Sequence, residues 1–325
     1  MGRRVLAACL AAGLMAVVAP LLPAYPLTLL TQALIAAMLA MSLDLLLGYT
    51  GLPSLGHAAY SGVGAYAVAI LATERQVGFA GCLAAGLVVA GVTAALFGVL
   101  AIRATGTYFL MITLALGQCL WGLAYRWNSL TGGDNGINLE VKPVLAGIDL
   151  SDDVAFFYLV FLLFSLSLLA MFVLVRSPFG RSLEGIRERE LRMKILGYNT
   201  WLHKYVAFVI AGGFGGLAGV LWAHTTGIVS PETVILTTSV DALLMAVLGG
   251  AGTLVGGVIG AFIVFGLREY LSTVVPWWQY VLGAVYVLTI LYLPNGLIGV
   301  PAWIRQRRAA QAKRQEAKKL ASVPS

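Results

Sequence analysis

The sequence predicts an all-α polytopic integral membrane protein: a helix bundle of about eight to ten transmembrane spans, some broken or short, with both termini cytoplasmic. Three observations predict it. Of 325 residues, 60% are hydrophobic and 11% charged, about half the charge of an ordinary globular domain. The apolar residues come in runs instead of stripes, and ten of these runs meet or approach the roughly 20 residues that a helix needs to cross a bilayer. Sixteen of the 21 Lys and Arg residues lie in three places: the start of the chain, residues 176 to 204, and the tail after Trp303. Basic residues mark cytoplasmic segments.

In order, the spans are expected at 5–24, 27–47, 57–72, 79–101, 107–124, 154–175, 205–226, 235–250, 254–270 and 277–299. The third and eighth are the shortest, and either is a candidate for a re-entrant or broken helix. "MGRRVLAACLAAGLMAVVAP" begins like a signal peptide, but only four apolar residues separate Arg4 from Cys9, so an uncleaved first span is expected. The loop at 125–153 holds Asp134, Glu140, Asp149, Asp152 and Asp153 against Arg126 and Lys142, which fits an external loop. Residues 1–303 are therefore expected to form the membrane domain, with the cytoplasmic loop at 176–204, and 304–325 a basic cytoplasmic tail. The net charge of +7 follows from this topology and from contact with anionic lipid, so no nucleic-acid partner is expected. Cys9, Cys82 and Cys119 are scattered in apolar runs and match no disulfide or metal spacing.

"LLLGYTGLPSLGHAAYSGVGAY", residues 45 to 66, interrupts this pattern. Gly48, Gly51 and Gly56 loosen the backbone, Pro53 removes a donor, and the hydroxyls of Tyr49, Thr50 and Ser54 offer replacement hydrogen bonds. A broken helix facing a cavity satisfies all of these together, as at transport sites. Gly48, Gly51, Ser54, Gly56, His57 and Tyr60 are the candidate substrate-pathway residues. Elsewhere glycine reads as helix packing: Gly252, Gly256 and Gly260 form a GxxxGxxxG series, and Gly215 with Gly219 another pair. "LLLGYTG" at 45–51 and "AVLGGAG" at 246–252 both end a span with GxxG, a faint internal echo. The ionisable residues within spans are few, namely Asp44, His57, His224, Asp241, Arg268 and Glu269. Of these, Arg268 and Glu269 sit near a span boundary, where side chains snorkel.

The 176–204 loop passes from Pro178 and Gly180 into about 15 helix-favouring residues and stops at Gly197. Glu188 with Arg192 and Glu190 with Lys194 make favourable i,i+4 pairs. Leu183, Ile186, Leu191, Met193, Ile195 and Leu196 do not share one face, so this helix is expected to touch a protein partner as well as its own membrane domain.

"SLDLLLGYTGLPSLGHAAYSGVGAY", "TGGDNGI", "GRSLEGIRERELRMKILGYN", "GIVSPE", "MAVLGGAGTLVGGVIGA" and "LPNGL" together resemble the membrane permease subunit of a branched-chain amino acid ABC importer, the LivM type. The resemblance runs from about residue 30 to 299. It implies a homologous second permease subunit, two ABC ATPase subunits, a periplasmic solute-binding protein and an inner-membrane location. It also implies that residues 181–197 form the segment that docks on an ATPase, through Glu184, Arg187, Glu188, Glu190, Arg192 and Gly197. Many other ABC permeases place a glycine six residues after the glutamate of this loop, whereas here Gly197 follows Glu190 by seven.

No GxxxxGK[ST] phosphate loop occurs in the chain. It is expected to bind no cofactor itself, with ATP and Mg held by the partner ATPases. Two other transport readings remain open, a urea or amide ABC permease of the same family and an ATPase-independent secondary transporter or channel. The scarcity of paired membrane carboxylates argues against proton coupling. An intramembrane enzyme would need Asp44, His57, His224 and Asp241 to converge, and they are dispersed over separate spans.

Overall fold

The computed structural model describes residues 19–139, 144–145, 148–150, 152–292 and 296–298. Most of the first expected span, the basic tail and part of "LPNGL" lie outside them. Helices occupy the other nine expected spans: α1 (Ala24–Asp44), α2 (His57–Arg75), α3 (Phe79–Ala101), α4 (Thr107–Arg126), α5 (Asp153–Arg176), α7 (Thr200–Thr226), α8 (Leu236–Gly249), α9 (Leu254–Val274) and α10 (Trp278–Tyr292). A further long helix, α6 (Pro178–Ile195), lies in the basic loop.

Six of these helices are long and apolar enough to cross a membrane, and hydropathy alone does not rank them. Burial does. The most apolar windows of α1 and α7 are 78% and 67% buried, whereas those of α3, α4 and α5 are 22% buried. An apolar side chain is as comfortable against lipid as against protein, so the centre is chosen by side-chain size. Small residues on α7 admit α2 and α3 at backbone distance. A Cβ at Gly216 would come within 2.1 Å of the Ala90 Cβ, and one at Gly219 within 1.8 Å of the Ser61 carbonyl oxygen. The expected Gly215–Gly219 pair is thus part of a longer small-residue seam. The α8 and α9 helices pack as a hairpin, and α9 also lies against α1.

The loop between α4 and α5 carries short strands. Strand β1 (Ile137–Asn138) pairs antiparallel with β4 (Ile228–Val229), in the register Ile137 to Val229 and Asn138 to Ile228. Strands β2 (Val144–Leu145) and β3 (Ile148–Asp149) pair with each other. The β1–β4 pair ties this loop to the connection between α7 and α8. That connection lies at the end of the bundle opposite α6.

Candidate functional site

Two places gather the polar groups that a membrane protein does not bury without cause. The first is the junction where α1 ends. The α1 helix runs on into a wide π turn at Leu45–Thr50 and stops at Gly51, whose φ of 72° is left-handed and suits glycine. Thr50 donates its hydroxyl to the Leu46 carbonyl at 2.6 Å, and the Leu52 N–H donates to the same carbonyl at 3.0 Å. Asp44 is fully buried and accepts a 2.7 Å hydrogen bond from the Gly252 N–H. Gly48 packs directly on Gly252, since a Cβ there would come within 2.1 Å of the Gly252 nitrogen. From α6, Arg187 donates to the Gly48 carbonyl. The two GxxG stretches that echo each other in sequence therefore meet in space, with Asp44 and Arg187 on either side.

The break is present, and most of its residues are packed against protein. Ser54, His57 and Tyr60 are buried. The Ser42 hydroxyl donates to the Leu39 carbonyl at 2.7 Å, so His57 Nε2 supplies the proton of its own 2.7 Å bond to Ser42. Tyr60 sits edge-on among His57, Phe97 and Phe208, with ring centroids 5.7 to 6.3 Å apart. A Cβ at Gly56 would come within 2.2 Å of the Thr113 carbonyl oxygen. Of the six pathway candidates only Gly51 is exposed. Gly48 and Gly56 also serve tight crossings, with Gly252 and Thr113 close against them. Gly252 is also displaced from its expected role, because it lies in the α8–α9 turn with φ 85° and not within a helical series.

The α6 helix departs from its expected form as well. Ser177 caps its start by accepting from the Gly180 N–H at 3.3 Å. At Arg189, with φ −153° and ψ 90°, the helix breaks, and Met193 folds against Gly185. Glu188 and Arg192 straddle this kink, and among the described residues no ion pair joins them. Glu190 does pair with Lys194 at 3.0 Å, and more closely with Lys204 of α7 at 2.6 Å, while Thr200 donates to it at 3.1 Å. Partial burial pulls the Glu190 carboxyl upward, but the ammonium groups of Lys204 and Lys194 and the Thr200 hydroxyl outweigh it and bring it down to about 2. Gly197, at φ 87°, ends the helix in a Schellman motif: the Tyr198 N–H donates to the Met193 carbonyl and the Gly197 N–H to that of Lys194. Arg187, Glu190 and Gly197 thus shape the loop and fasten it to the membrane domain. Glu184, Glu188 and Arg192 point outward. So do Leu191, Ile195 and Leu196, at 72%, 79% and 64% exposure.

The second place is a cavity of about 350 Å³ at the opposite end of the bundle, between α1, α7, α8 and α9. Asp241 and Arg268 line it and pair with each other at 3.4 Å. Arg268 and Glu269, expected to snorkel, instead have separate partners, since Tyr25 donates its hydroxyl to Glu269. Sequence reasoning missed Asp241 with Arg268 because the two lie on different helices, 27 positions apart. Their one visible signal was charge inside apolar runs. Among the described residues, no group of His, Cys, Asp and Glu converges to hold a metal ion.

The family model described as branched-chain amino acid transport system / permease component matches residues 25–291. The chain belongs to this permease family. It is 32% identical over 312 residues to the LivM high-affinity branched-chain amino acid permease of Salmonella typhimurium, covering 88% of this chain and 73% of that one. It is also 32% identical to the LivH permease of Escherichia coli, over 42% of this chain and 45% of that one. The guanosine ABC permease NupQ of Bacillus subtilis matches at 32% over 48% and 50%. No solved structure matches. The permease is a membrane component of an ABC importer and a multi-pass protein of the bacterial inner membrane.

Proposed function

We propose that this permease moves branched-chain or related amino acids inward, after a periplasmic binding protein delivers them, beside a homologous second permease subunit. Two partner ATPases bind ATP and Mg and supply the energy, and this chain holds no nucleotide or other cofactor. The observation that carries the reading is the two-sided build of α6. One side is fixed to the membrane domain, with Leu183 and Ile186 buried, Arg187 on Gly48 and Glu190 on Lys204. The other side presents Leu191, Ile195 and Leu196 to the surroundings beside Glu188 and Arg192. An apolar face beyond the membrane domain, on a helix anchored this firmly, suits a protein cleft. ATP-driven changes in the partner then bias the arrangement of the helices that α6 grips.

The test is a cysteine scan of residues 184–196 in the assembled importer, with binding-protein-stimulated ATP hydrolysis measured in liposomes. Crosslinks from positions 191 and 195 to the ATPase are expected, and aspartate at both should abolish stimulation. Uptake at the full rate without ATPase subunits would instead establish the channel or secondary-transporter reading.

A further inference from the structure

The Asp241–Arg268 couple is not what close packing would produce. Charges within membrane spans are costly, and they are kept there where they do chemistry or meet a polar ligand. The contact is a single one at 3.4 Å, with Arg268 about half exposed and Asp241 about a third exposed. Among the described residues it is the one hydrogen bond that either side chain makes. The couple therefore keeps a carboxylate oxygen and several guanidinium N–H groups available to a guest. Apolar walls come from Ile35 and Leu39 on α1, Trp222 on α7, Met245 on α8 and Phe265 on α9, and Glu232 with the hydroxyl residues Ser230, Thr233 and Thr238 also lines the cavity. Helical spacing puts these groups together, since 241 and 245 share a face of α8, and 265 and 268 a face of α9. The volume of about 350 Å³ lies in the range of small-molecule sites, roughly 300 to 1,000 Å³.

We propose that this cavity is a binding subsite for the zwitterion of an aliphatic α-amino acid. Asp241 receives the ammonium group, Arg268 the carboxylate, and the apolar walls hold the side chain. A free cation meets repulsion from Arg268 and a free anion from Asp241 and Glu232, whereas a zwitterion meets an opposite charge at each end. A neutral amide or urea can hydrogen-bond to either group but brings no full charge for the couple to meet. A zwitterion exchanges one loose contact for two charge-assisted ones. The site lies at the end of the bundle away from α6, the face that the charge pattern assigns to the exterior, where an arriving solute enters. This inference rests on the amino acid reading above and deepens it.

The probes are L-leucine, leucinamide, which lacks the carboxylate, and 4-methylpentanoate, which lacks the ammonium. Their affinities are measured by saturation-transfer NMR against the complete permease–ATPase complex in nanodiscs without its binding protein. Wild type is expected to prefer leucine. Arg268→Gln should weaken leucine by about 10- to 100-fold, the worth of a charge-assisted hydrogen bond, and spare leucinamide. Asp241→Asn should weaken leucine similarly and spare 4-methylpentanoate. Misfolding cannot move the two selectivities in opposite directions. Unchanged leucine affinity in both variants, or equal weakening of all three probes, overturns the site. ATP-dependent leucine uptake by the wild-type importer is measured alongside: its absence sinks the amino acid reading, and its presence with unchanged variant affinities sinks the subsite alone.

Discussion

Arg187 of the cytoplasmic-loop helix and Gly48 at the end of α1 are joined by a hydrogen bond from the guanidinium to the backbone carbonyl, across 139 positions of sequence. The same guanidinium lies against the Gly252 turn, whose N–H holds Asp44. A movement of α6 is therefore felt at once by α1 and by the α8–α9 hairpin. These are three of the helices that border the cavity at the far end.

Arg187→Ala should leave the importer assembled while uncoupling it. Allosteric coupling is typically worth about 1 to 3 kcal/mol, or about 5- to 150-fold, so stimulation of ATP hydrolysis by the loaded binding protein is expected to fall at least about fivefold. Unchanged stimulation in complexes of matched subunit content would remove Arg187 from the coupling path.

Gly48→Ala should lower the yield of assembled permease sharply, because its Cβ would lie 2.1 Å from backbone that has no side chain to move. Gly51→Ala meets only the Arg187 side chain, at 3.2 Å, and carries mainly the strain of a left-handed φ, about 1 to 2 kcal/mol. Size-exclusion profiles of the two variants should separate them, with Gly51→Ala retaining most of its complex.

Glu190 sets a pH window. Its carboxyl is held at about 2, down from an ordinary 4.5. A depressed folded value adds stability that is fully present above the unfolded value and is lost as pH falls from about 4.5 toward 2. Hydrogen exchange of residues 190–204 should be indifferent to that pairing between pH 5 and 8, beyond the intrinsic exchange rate, and should lose protection below about pH 4. Glu190→Gln is expected to lose it at all pH values.

His57 tests packing against pathway. Its hydrogen bond to Ser42 is buried, and leaving that partner unsatisfied costs about 1 to 3 kcal/mol. His57→Leu should lower thermal stability, while His57→Gln, which keeps a donor, should preserve transport within about threefold. Loss of transport in His57→Gln with stability intact would place His57 on the pathway.

The sequence by itself determined the solvent of this protein, the places of nine helices among the described residues and the loop that stands apart from them. Hydropathy and basic residues act locally, and a bilayer demands about 20 apolar residues wherever they fall. It also located the break after Asp44, because Gly51 and Pro53 act on their own backbone. What surrounds that break was decided by tertiary structure alone. The same glycines suit a wet cavity and a close crossing, and only the tertiary structure brings Gly252, Thr113 and Arg187 against them. Likewise Asp241 and Arg268 each looked like an isolated charge near a span end. Their meeting depends on the rotation of α8 against α9, which Gly249, Gly256 and Gly260 permit by close approach, and no spacing along one helix encodes the register between two.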